Sequence, residues 1–156
     1  MTGRVGAEEA AALDEPALRV REEPAAAGLP VLAPGMRHIV AAGADAEVDY
    51  AADCAGGVSV GWVTGHRLAE CALRAARELR ADDPALRHWG SVATAMTEAI
   101  AAVLVSAGFE VERPVGAQSV RVVSAPSADR PPVWRLRDDE LKVSCPDPER
   151  ARCAVG

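Results

Sequence analysis

Apolar and polar positions alternate along residues 36–41 (MRHIVA), 47–52 and 58–63. Val48 and Tyr50 stand between charges, and Val58, Val60 and Trp62 between Ser59, Gly61 and Val63. A period of two sends successive side chains to opposite faces, so each stretch predicts a strand with one buried face. Residues 43–45 (GAD) and 53–57 (DCAGG) carry turn chemistry and would join the three into a meander.

At Thr64 the period lengthens. Thr64 is the predicted N-cap of a helix whose apolar face holds Leu68, Cys71, Ala72, Ala75 and Leu79, with Glu70, Arg74, Arg77 and Glu78 on another. On that face Cys71 reads as a small buried hydrophobe. Asp82, Asp83 and Pro84 end this helix and start a second, Asp83 as N-cap and Pro84 as the first helical residue. Leu86, Trp89, Val92, Met96, Ile100, Val103, Leu104 and Ala107 carry the second helix to Gly108, with a bend or restart at Gly90 and Ser91. Residues 99–107 are apolar on nearly every side, which predicts burial against a sheet and a further body.

Beyond Gly108 the period returns to two. Phe109 and Val111, Val120 and Val122, Trp134 and Leu136, and Leu141 and Val143 alternate with charged residues across turn-forming stretches. A three- or four-stranded antiparallel meander is predicted. Glu110, Glu112, Arg121, Arg135, Arg137 and Lys142 would form its solvated face, with cross-strand charge pairs. Trp62, Trp89 and Trp134 come from three elements and read as the large pieces of one core.

Residues 1–35 have a different texture. Pro16, Pro24, Pro30 and Pro34 punctuate them every six to eight residues or less, a spacing that predicts short helical turns at 8–14 and 16–21 but no long helix. The expected organisation is a flexible Ala/Glu/Pro-rich leader (1–35), a single α+β domain (36–150) and a frayed C-terminus (151–156). Its fold would be an antiparallel sheet with two helices packed on one face, in the order β-strands–α–α–β-strands.

Composition narrows this further. At 156 residues the chain is of one-domain length. Its 49% hydrophobic fraction includes 33 Ala but only 33 Leu, Ile, Val and Phe together, so the core should be thin. Sixteen Arg against the single Lys142 indicate a GC-rich, bacterial-type coding genome. The net charge of −6 arises wholly before residue 66, and no basic stripe interleaves with aromatics, which argues against nucleic acid. The greasiest stretch, 99–107, spans about half of a membrane crossing. The first residues carry acids where a secretory signal carries bases. A soluble, cytoplasmic protein is expected, with no membrane partner and with Cys54, Cys71, Cys145 and Cys153 as reduced thiols.

Candidate chemistry is sparse. Asp45, Glu47, Asp49 and Asp53 fall on alternate positions of one strand, but about 6.5–7 Å separates such neighbours, too much for one ion; they read as the charged side of an edge strand. Cys54, His66 and Cys71 lack metal-knuckle spacing, so neither a metal nor a cofactor is expected. Ser59, Ser91 and Ser106 sit in no nucleophile elbow, and His88 beside Trp89 reads as a helix-surface pair.

Two functional readings follow. The first is a non-catalytic protein-binding or accessory module acting through a helix face or sheet edge, its partner another protein or a second copy. The alternative is a small enzyme or ligand-binding domain. It would hold an anionic group at the helix N-terminus formed by Thr64, Gly65, His66 and Arg67, with His66 as the nearby acid–base group. That stretch has neither GxGxxG nor GxxxxGK[ST] order.

Overall fold

A computed structural model describes residues 6–34, 41–51, 57–127, 129–132 and 134–135. Along the chain run α1 (Ala7–Ala26), β1 (Gly43–Asp49), β2 (Gly57–Val63), α2 (His66–Arg77), α3 (Pro84–Ser106), β3 (Glu110–Glu112) and β4 (Ser119–Ser124). The strands form one antiparallel sheet in the order β1-β2-β4-β3. The α+β class and the antiparallel sheet agree with the sequence; the element order and the helix layer do not.

The first difference lies in residues 1–35. They contain a 20-residue helix, with Pro16 and Pro24 inside it. Proline removes a backbone donor and crowds the preceding turn, and prolines at this spacing should forbid such a helix. Burial overrides the local preference, because Leu13, Ala17, Val20 and Pro24 recur at helical spacing; Ala17 is 1% exposed, Val20 fully buried, and Leu13 packs against the same cluster. Pro24 is itself among the most deeply buried side chains, so the ring that weakens the helix fills the core.

Ala17 and Val20 of α1 meet Ala44 and Ala46 of β1, Val58 and Val60 of β2, Ile100 and Leu104 of α3, and Phe109. Register explains the pattern: Ala46 pairs with Val60 and Val60 with Val120, so one face carries a row of small and β-branched side chains. α1 and α3 form the layer on that face. α2, expected as half of it, packs on α3 and not on the sheet.

The sheet's outer border at β1 is closed by the chain itself. Leu32 donates its N–H to the Ala44 carbonyl (2.8 Å), Ala44 donates to the Pro30 carbonyl (2.8 Å), and Val31 makes a parallel bridge to Ala44. Arg21 Nη2 donates to the Ala46 carbonyl at 2.8 Å. Gly43 permits this approach, since a Cβ there would lie 2.7 Å from the Pro30 oxygen. Residues 43–45 are therefore strand rather than turn: their backbone groups gain partners on both sides.

Arg19 holds the segment that follows β4. Its Nη1 donates to the carbonyls of Pro126 (2.7 Å) and Ser127 (3.0 Å), its Nη2 to that of Arg130 (3.2 Å), and the guanidinium lies 5.9 Å from the Phe109 ring centre. Trp134 donates its indole N–H to Glu23, 5% exposed, at 2.8 Å. Trp134 and Arg135 thus stand at a turn where strand was expected, because Trp134 is engaged by α1. The three tryptophans do not share a core: Trp62 packs against the main cluster, Trp89 is half-buried on α3, and Trp134 is 41% exposed. Of the predicted strand at 36–41 only Ala41 is described, and it belongs to no strand; the strand at 141–143, together with Asp53, Cys54, Leu136 and Arg137, lies outside the described residues.

Candidate functional site

Of the four residues expected to hold an anion, the structure buries Thr64 and exposes Gly65, His66 and Arg67. Thr64 is 6% exposed at the end of β2, and the N-cap of α2 is Gly65, which makes no side-chain cap. Thr64 fails as the cap because its side chain is already buried one residue too early. His66 and Arg67 are exposed, and His66 lies 3.7 Å from Glu70 one turn on, a solvated i,i+4 neighbour.

The β1 carboxylates do not converge. Asp45 is 7% exposed, Glu47 and Asp49 are exposed, and Asp49 accepts the Ala51 N–H at 2.9 Å. Among the described residues, no group of three or more His, Cys, Asp or Glu side chains is close enough to share a metal ion. Cys71 is exposed, not buried: α2 turns Ala72 and Ala75 inward. Leu79 also leaves the predicted apolar face. It follows the helix at φ 55° and is 90% exposed, while Leu79 N–H bonds to Ala76 and Arg80 N–H to Ala75 (3.0 and 2.9 Å). This is the Schellman closure, with leucine at the left-handed position that glycine normally takes.

A hollow between α1 and the sheet is lined by Leu13, Pro16, Val58 and Val122, with Glu112 and Arg121 at its border. Those two charges already pair at 3.4 Å across β3 and β4, the cross-strand contact predicted for the solvated face.

Another hollow is an open groove along α3, lined by Arg87, Gly90, Ser91, Thr94, Ala95 and Glu98. α3 starts as the sequence predicts: the Asp83 side chain accepts the Ala85 N–H at 2.8 Å, and Pro84 occupies the first turn. It then runs unbroken through Gly90 and Ser91, where a bend or restart was expected; Ser91 Oγ donates to the Arg87 carbonyl at 3.0 Å within the continuing helix. Comparison with protein-family models, with curated proteins and with solved structures finds no match. The groove must be understood from its own residues.

α3 is more apolar than the run 99–107 alone conveys. It is 23 residues long and its most apolar 18-residue window has a mean hydropathy of 1.3, enough in length and composition to cross a bilayer, yet only 22% of that window is buried. Ala93, Thr97, Ile100 and Leu104 form the buried side. Arg87, Ser91, Thr94, Ala95, Glu98, Ala102 and Val105 form an exposed stripe at i, i+3, i+4 spacing. Sequence reasoning overlooked the stripe because small residues carry little hydropathic contrast; the signal was Arg87 and Glu98 flanking four small residues at that spacing.

Proposed function

We propose that the chain is a soluble, cytoplasmic, non-catalytic protein-binding or accessory module whose working surface is the exposed face of α3. The observation that carries this reading is the mismatch on α3 between apolar character and burial. An uninterrupted helix with Ala95, Ala102 and Val105 outermost leaves to solvent a face that helices of this composition ordinarily cover.

The sheet borders support the same choice between helix face and sheet edge. Residues 30–32 and Arg21 occupy the backbone groups of β1 that a strand-adding partner would need. β3 is three residues long and carries exposed Glu110 and Glu112, features that discourage edge pairing.

A photo-crosslinking amino acid in place of Ala102 tests the assignment in cells. Adducts with protein are expected from position 102 and not from Glu47 on the opposite sheet face. Adducts from neither position, or only from position 47, would overturn it.

A further inference from the structure

The groove residues of α3 are arranged symmetrically about the midpoint between Val92 and Ala93. Arg87 mirrors Glu98, Gly90 mirrors Ala95, and Ser91 mirrors Thr94. A twofold axis through that midpoint, perpendicular to α3, would lay a second α3 antiparallel on the first. Each Arg87 would then face the other copy's Glu98, with the small residues between them. Such self-complementarity is what a closed twofold contact requires, since the same patch serves both sides. We infer that the partner seated on this face is a second copy of the chain, paired through antiparallel α3 helices in this register.

Three independent observations support this. Charge comes first. Arg87 has no acidic partner among the described residues, and its own Glu98 lies eleven residues along the helix, about 16 Å away. Among the described residues Glu98 meets only Arg113, at 3.2 Å, with both side chains about half exposed, so it can receive a second guanidinium. The second observation is Gly90. Glycine inside a helix costs about 1 kcal/mol relative to alanine, and no neighbour in the chain demands it, because a Cβ there would meet no atom within 4 Å. A close-approaching second backbone supplies the reason, with Ser91, Thr94 and Ala95 keeping the remaining contact thin. The third is continuity: Ala102 and Val105 extend the same exposed stripe and lengthen the contact. A pair limited to this stripe lies at the small end of specific interfaces, so its affinity should be micromolar.

This inference rests on the helix-face reading and can fail separately from it. Sedimentation velocity of the purified full chain from about 1 to 100 μM should show a reversible monomer–dimer equilibrium. Arg87→Glu and Glu98→Arg, each placing like charges together twice per dimer, should each weaken it by about tenfold or more, and the double exchange should restore it. Thr94→Trp should abolish it by bulk alone. All three positions are exposed, so melting temperatures should stay close to the parent's, and Arg87→Ala with Glu98→Gln provides a milder pair should any variant misfold. The register is read directly with Arg87→Lys and a carbodiimide, which should yield a covalent dimer joined between positions 87 and 98. A monomer throughout, single exchanges without effect, failed rescue by the double exchange, or a covalent link elsewhere would each overturn the inference. A monomer that still crosslinks through position 102 to a different protein would leave the helix-face reading standing and remove only the self-pairing.

Discussion

α1 and α2 invert what their sequences promise. α2 has strong helical patterning, basic residues Arg74 and Arg77 in its last turn and no proline, yet it buries only Ala72 and Ala75 and rests on a single neighbour, α3. α1 is interrupted by two prolines, yet it is sewn into β1, α3 and the segment after β4. Helix propensity is worth tenths of a kcal/mol per ordinary residue and an interior proline costs about 3 kcal/mol, whereas each buried aliphatic side chain is worth about 1.5–3 kcal/mol, so several tertiary contacts together decide which helix matters to the fold.

Four substitutions sharpen or break that contrast, the largest first. Val20→Ala should lower unfolding free energy by about 2 kcal/mol in urea titration, through lost burial and the cavity left behind; a loss under about 0.5 kcal/mol would mean that α1 is not part of the cooperative core. Arg19→Met removes three charge-assisted hydrogen bonds to backbone carbonyls and should cost about 1–2 kcal/mol, with faster proteolysis between residues 125 and 135. Unchanged cleavage there would show that Arg19 does not hold this segment. Leu79→Gly should stabilise by about 1 kcal/mol in thermal melts, because glycine takes the left-handed conformation without strain and Leu79 buries almost nothing. Leu73→Ala, on the outer side of α2, should shift stability by less than about 0.5 kcal/mol; a larger loss would show that α2 has contacts beyond α3.

Where the sequence was legible, local chemistry and long-range packing agreed. Asp83 and Pro84 start α3 as their capping chemistry demands, and Gly108 closes it at φ 90° with Phe109 N–H bonded to Leu104. The alternations Val58–Val60–Trp62 and Val120–Val122 became neighbouring strands with matching inner faces. The errors arose where two local rules competed. Leu13, Ala17, Val20 and Pro24 lie on one helical face, but proline spacing outweighed that periodicity because nothing local reveals the sheet waiting for it. Gly43 read as a turn residue, although its use is to admit Pro30, thirteen residues earlier. At the candidate site the Thr64 hydroxyl suits an N-cap, yet Thr64 is buried and the neighbouring Gly65 is the cap. The α3 stripe escaped notice because Gly90 and Ser91 resemble a break, and only the continuous helix brings Arg87, Thr94 and Glu98 onto one side.

The clasp of Arg19 on Pro126, Ser127 and Arg130 joins residues 107 to 111 positions apart. During synthesis α1 leaves the ribosome before the sheet does, and at ordinary elongation rates roughly 5–20 s pass before the carbonyls it must grip are made. Throughout that interval Val20 and Ala17 have no finished sheet to cover them. Glu8 and Glu15, both exposed along α1, keep charge on the helix through that interval, when its apolar face is still uncovered.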